Sequence, residues 1–177
     1  TEGKNQKEGV LVAEELSNRD DIEFHFIGNQ APNFESYWGP IMKDLPKNVR
    51  VWGERDDVDK FMQACDVLMF NSTWECNPLV VRESINYGMK ILTRDLPQYV
   101  GMFDGIITPI TEKPLKDQLL KLIESKDSYK IPEDPISFGE QHLEFYKKVM
   151  GLEIKRCFLC LFIFLVKCDL RSTILFI

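Results

Sequence analysis

The sequence predicts an α/β protein, a parallel sheet with helices on both faces. Three observations carry that prediction. Short strand-like segments alternate with helical ones along the chain. The run Asp66-Val-Leu-Met-Phe70 is continuously apolar after its first residue, as in a strand covered on both sides. Two further strand candidates end in glycine, Gly28 and Gly53.

Each element follows from local pattern. Between Asn5 and Leu16, residues Val10, Leu11, Ala13 and Leu16 fall at helical spacing, and Asn18 with Asp20-Asp21 supplies the stop. Ile22 to Ile27 alternates into a strand closed by Gly28, and Asn48 to Trp52 makes a shorter one closed by Gly53. Phe34 to Leu45 is aromatic-rich and helical, with Gly39-Pro40 as an interruption. Asp57 to Ala64 is a short helix feeding the strand Asp66 to Phe70. Leu79 to Tyr87 is a helix ended by Gly88, a residue suited to a left-handed cap. Strands at Lys90–Thr93 and Gly105–Thr108, and helices at Leu115–Ser125 and Phe138–Met150, complete the pattern. Right-handed crossovers then place ligands at the carboxyl ends of the strands.

At 177 residues the chain has the length of one domain. Hydrophobic residues make up 44% and charged residues 28%, which excludes disorder as the main state. Twenty-two Lys and Arg against 28 Asp and Glu leave a net charge of −6, so nucleic acid is not an expected partner. The 5 cysteines (Cys65, Cys76, Cys157, Cys160 and Cys168) are odd in number and irregularly spaced, which points to a reducing, cytoplasmic compartment. Thr1 is not Met and no signal segment follows it, so the chain is expected to begin within a longer protein.

Several chemistries lose their support. No Gly-x-Gly-x-x-Gly follows a strand and no Gly-x4-Gly-Lys-Ser/Thr is present. His25 and His142 lack Cys or carboxylate partners at metal-ligand spacing, so no metal site is expected and His25 reads as a strand residue. Cys157-x2-Cys160 stands without a second pair inside an apolar run, where buried thiols are the commoner explanation.

The informative stretch is Phe70 to Leu92. A strand ends, a polar loop carries Glu75, a helix begins near Leu79, and Glu83 sits on its second turn. Free N–H groups at that helix start favour an anion such as a diphosphate. A carboxylate accepts two hydrogen bonds and suits a vicinal diol, so Glu75 and Glu83 can hold the two ends of a sugar nucleotide. Spacing alone favours the plainer reading, in which Glu75 is a loop charge and Glu83 a solvated helix residue.

Glu75-x7-Glu83, preceded by Ala64-Cys65-Asp66-Val67-Leu68 and followed by Gly88, resembles the donor-binding half of family 4 glycosyltransferases of the GT-B fold. Lys4-Asn5-Gln6, Phe26-Ile27-Gly28 and Asn48-Val49 to Gly53 occur in the order of that family, over roughly residues 1–150. The resemblance implies a Rossmann-like donor domain and a retaining, metal-independent hexosyl transfer from a nucleotide-sugar donor, with no further cofactor. It implies that Glu75 contacts the transferred sugar and Glu83 the ribose. Lys4 and the backbone at Leu79 and Val80 would meet the diphosphate, with Gly28 and Arg55 beside the base. A fixed cation and a helix N-terminus suit a departing diphosphate, on which negative charge accumulates. The acceptor, whether glycan, lipid or protein, belongs to a domain this chain does not include.

The chain departs from the pattern in three respects. Cys76-Asn77-Pro78 replaces a glycine-rich turn, and Pro78 has no N–H to donate. The family's phosphate-binding arginine would lie before Thr1, as would the acceptor domain and the first, central strand of a 3-2-1-4-5-6 sheet. By itself the chain is therefore expected to be inactive. The alternatives are a non-catalytic nucleotide-sugar-binding or scaffolding remnant, and a sugar-nucleotide epimerase; the order of Lys4-Asn5-Gln6 and the paired glutamates speaks against the latter.

Residues 151–177 lie beyond the family pattern. Phe158–Val166 is an uninterrupted apolar run, too short at about 1.5 Å per residue for a membrane span and lacking the charged face of an interfacial helix. Membrane association is not expected. The run reads as a tail foreign to the family, or, from its Phe, Ile and Val content, as a strand filling the vacant centre of the sheet.

Overall fold

The computed structural model describes residues 2–30, 32–103, 105–111, 114–125 and 172–176. Its strands are β1 (Ile22–Ile27), β2 (Val49–Gly53), β3 (Val67–Phe70), β4 (Lys90–Thr93), β5 (Thr108–Pro109) and β6 (Ser172–Phe176). Its α-helices are α1 (Gln6–Glu15), α2 (Glu35–Met42), α3 (Val58–Ala64), α4 (Leu79–Asn86) and α5 (Leu115–Glu124). The six strands form one parallel sheet in the order β2-β1-β6-β3-β4-β5.

Two apolar clusters cover the two faces, and strand residues divide between them with the period of 2 that a pleat requires. Val10, Val12 and Ala13 of α1 and Leu115 and Leu119 of α5 pack with Phe24, Met69 and Ile174. Met62 of α3 and Val81 and Ile85 of α4 pack with Ile27, Leu68, Phe70 and Leu175. All four residues of β3 are buried, as its apolar run demands.

The vacancy expected at the centre of the sheet is filled, and its occupant is β6. This strand comes from the 151–177 segment, but it is Ser172–Phe176 and not Phe158–Val166, which lies outside the described residues. On one side it pairs Glu23 with Thr173 and His25 with Leu175; on the other, Val67 with Ile174 and Leu68 with Leu175. Ile174 and Leu175 are fully buried in opposite clusters, each stabilising the fold by about 1.5–3 kcal/mol relative to exposure.

Other differences from expectation are local. The second strand is shifted by one residue to Val49–Gly53, because the Asn48 side chain is drawn under α1, where Nδ2 donates to the Ala13 carbonyl at 3.0 Å. The strand expected at Gly105–Thr108 shrinks to Thr108–Pro109. Gly105 is left-handed at φ 72°, and Ile106 and Ile107 turn their amides back to the Phe103 carbonyl. Pro40 lies inside α2 and does not break it, since a missing N–H in so short a helix removes a single backbone bond; the helix narrows from 34–45 to 35–42. The helix expected at Phe138–Met150 lies outside the described residues.

Candidate functional site

The carboxyl edge of the sheet joins the turn before α1 to the loop after β3. Thr73 donates its backbone N–H (2.8 Å) and its hydroxyl (3.3 Å) to the Gly3 carbonyl, which staples the two segments together. Next to that staple the Lys4 ammonium meets the Glu75 carboxylate, Nζ to Oε1 2.5 Å, with side chains 41% and 15% exposed. Lys4 Nζ also lies 5.1 Å from the centre of the Phe70 ring. Asn5 turns the chain into α1 at φ 52°, a left-handed conformation that Asn tolerates better than most residues. Burial, reinforced by the Glu75 charge, pushes the nearby Tyr99 phenol up to about 12.

Eight residues beyond Glu75, Glu83 is exposed on α4 and makes no hydrogen bond or ion pair among the described residues. The structure thus joins Lys4 to Glu75 and leaves Glu83 apart from both. At the start of α4, Val81 and Arg82 are the first amides to bond back, both to the Pro78 carbonyl. Those of Leu79 and Val80 precede the helical ladder, so they belong to the orphan donors of a helix start. The Arg82 guanidinium braces the loop by donating to Asn77 Oδ1 at 2.9 Å.

Gly28 and Gly53 meet at the ends of β1 and β2, where the Gly28 amide donates to the Gly53 carbonyl at 2.8 Å. Both have positive φ, and a Cβ at either would meet nothing within 4 Å, so the space above them is open. Arg55 follows, its guanidinium held by both Asp57 oxygens at 2.9 and 3.0 Å and lying over the Trp52 and Phe61 rings. That bond holds the Asp57 carboxyl below its usual range. His25 is a residue of β1. Its Nδ1 accepts from Trp52 Nε1–H at 2.9 Å, which leaves the ring proton on Nε2, 3.7 Å from Glu23. Burial lowers its pKa.

Sequence reasoning missed a second polar cluster at the same edge. Glu8 Oε2 accepts from Asn5 Nδ2 at 2.7 Å, from Arg94 Nη2 at 2.5 Å and from Asn71 Nδ2. Arg94 Nε also donates to the Asn71 carbonyl at 3.3 Å. Asn71 and Arg94 are the first residues past β3 and β4. Being polar at the carboxyl ends of two adjacent buried strands was the signal that would have found them.

A groove of about 660 Å³ opens between α1 and α2, lined by Asn5, Lys7, Leu11, Tyr37 and Ile41 among others and not by Glu75. Among the described residues no helix is long and apolar enough to cross a membrane.

Residues 4–125 match the family described as glycosyl transferases group 1. No curated protein matches the chain. Among solved structures, WaaG, a glycosyltransferase involved in lipopolysaccharide biosynthesis, superposes with a TM-score of 0.60 at 21% identity, over 81% of this chain and 43% of its own. Alr3699/HepE of Anabaena, in complex with UDP and glucose, gives 0.59 at 14% identity over 83% and 52%. AviGT4, a glycosyltransferase involved in avilamycin A biosynthesis, gives 0.58 at 13% identity over 85% and 49%. At such identities the likeness is one of fold, and the chain spans about half the length of each of these proteins. Its Rossmann-like sheet has the fold of the carboxyl-terminal half of GT-B glycosyltransferases. With the family match covering more than half of its residues, the chain belongs to the group 1 glycosyl transferases.

Proposed function

We propose that this chain is the donor-binding half of a retaining glycosyltransferase that transfers a hexose from a nucleotide sugar in the cytoplasm. The observation that carries the reading is the Lys4–Glu75 contact. Seventy-one positions apart, a cation and a carboxylate are brought to 2.5 Å at the carboxyl edge of a parallel sheet, where such folds bind ligands. The complex of the Anabaena protein with UDP and glucose supports a nucleotide-sugar donor.

Each residue then has a role set by its chemistry. Glu75 accepts hydrogen bonds from hydroxyls of the sugar. Lys4 and the amides of Leu79 and Val80 offset the charge that builds on the diphosphate as the glycosidic bond breaks. Glu83, exposed one turn further along α4, holds the ribose diol, and the open space above Gly28 and Gly53, flanked by Arg55, takes the base. Pro78 offers no N–H, so the burden on Lys4 is greater than in a glycine-rich turn. The acceptor is supplied with the other half of the enzyme.

Calorimetric titration with a panel of nucleotide sugars tests the reading. One of them should bind wild type, and Glu75→Ala and Glu83→Ala should each weaken it by about tenfold, the scale of one charge-assisted hydrogen bond. Unchanged affinity in both variants would remove the site. Binding without turnover in a protein that carries both halves would favour the non-catalytic alternative.

A further inference from the structure

Lys4 can act on a diphosphate only if it is held at the sheet edge, and its own segment is poorly suited to hold it. It lies in a single 3-10 turn, Glu2–Lys4, with no buried residue. The next residue is left-handed and contributes no side-chain cap to α1. The Thr73 bonds to the Gly3 carbonyl tie this turn to the loop after β3, but they reach neither α1 nor the end of β4; one atom touches all of these elements. Glu8 Oε2 gathers Asn5 from the turn, Asn71 from the end of β3 and Arg94 from the end of β4.

The geometry points to Glu8 as the positioning residue for Lys4: its carboxylate, tied to the ends of β3 and β4, sets where the α1 turn presents the Lys4 ammonium. This inference rests on the proposed diphosphate role of Lys4. The arrangement of charge fits that assignment. Glu8 is partnered by Arg94 and Glu75 by Lys4, so each carboxylate has its own cation. A negative residue in the first turn of α1 is also favoured by the helix dipole. Asn71 and Phe70 are neighbours, so the residue that anchors Glu8 adjoins the ring over which the Lys4 ammonium lies. Arg94, bonded both to Glu8 and to the Asn71 carbonyl, closes the network from the second strand end, that of β4. Displacing the turn by about 1 Å is enough to misplace a reacting group.

The test is calorimetric titration of the full 177-residue chain with inorganic pyrophosphate, a probe for the diphosphate position alone, with thermal unfolding of each variant alongside. Wild type should bind and Lys4→Ala should weaken binding by about tenfold, the scale of one charge-assisted contact. Glu8→Ala should weaken it by a similar factor with Lys4 intact. Glu8→Gln keeps a carbonyl oxygen for Asn5 and Asn71 and should recover most of the loss. The Lys4→Ala/Glu8→Ala double variant should bind no more weakly than Lys4→Ala, because Glu8 acts through Lys4; a purely structural residue would add its own loss. Asn5→Gly retains the left-handed backbone and deletes one bond to Glu8, so it gives a milder, foldable version expected to lose affinity about twofold to threefold. Wild-type affinity in Glu8→Ala, or in Asn5→Gly should Glu8→Ala not fold, overturns the inference while Lys4→Ala still weakens binding. If wild type does not bind pyrophosphate, or Lys4→Ala binds as well as wild type, the diphosphate reading itself fails and this inference with it.

Discussion

Leu175→Ala probes the central strand directly. Leu175 is fully buried and packs in the cluster that contains Leu68, Phe70, Val81 and Ile85. It pairs with His25 on one side and Leu68 on the other, so its backbone is fixed by strands on both flanks. A site held in that way has little freedom to collapse around a deleted side chain, which sets the expected cost in the upper part of the range for buried leucine, about 3–5 kcal/mol. For a chain of this length that corresponds to a fall in Tm of roughly 6–20 °C. Ile174→Ala should cost about as much, because Ile174 is equally buried but belongs to the opposite cluster. Leu11→Ala, at a position 48% exposed, should stay within about 0.5 kcal/mol of wild type. Urea unfolding followed by far-ultraviolet circular dichroism measures all three. If Leu175→Ala and Ile174→Ala are as mild as Leu11→Ala, the strand does not occupy the centre of the sheet.

Two further outcomes follow from single side chains. Burial lowers the His25 pKa below its ordinary 6.5, so the unfolded chain takes up that proton first. Its contribution to stability is complete above pH 6.5 and is lost as the pH falls through the folded value; the urea midpoint of wild type should drop between pH 7.5 and 5.5 more than that of His25→Gln, and equal drops would refute the assignment. Lys90 Nζ donates to the carbonyls of Leu122, Ile123 and Ser125 at the end of α5, at 2.8, 3.2 and 2.7 Å. Lys90→Met should therefore cost about 1.5–3 kcal/mol in the same urea assay, and a cost under about 0.5 kcal/mol would show that water replaces those bonds freely.

Most of the fold was legible because its signals are local. The continuous apolar run of β3, the alternation of β1 and the glycine after α4 each depend on a few neighbouring residues, and these three elements lie within a residue or so of their expected places. What was not legible depends on distance along the chain. The pattern exposed the need for a central strand, yet nothing local distinguished Ser172–Phe176 from the longer apolar run before it. Partnership in parallel sheets is set by crossover topology, and a five-residue strand carries no address. The site divides in the same way. Lys4 and Glu75 were identified by motif order and do meet, whereas the Glu8, Asn71 and Arg94 cluster joins three elements that only the folded chain brings together.

The strand order also sets a schedule. During synthesis β1 and β2 emerge early and β3, β4 and β5 follow, but the piece that welds these two blocks together leaves the ribosome after all of them. Until then β1 and β3 each present an unpaired edge rich in Phe, Ile, Val and Leu, the kind of edge that recruits foreign strands. Nascent chains released before Ser172 should accordingly be the ones that chaperones retain or that precipitate, and the cell sees a finished sheet only once that late segment has threaded between its neighbours.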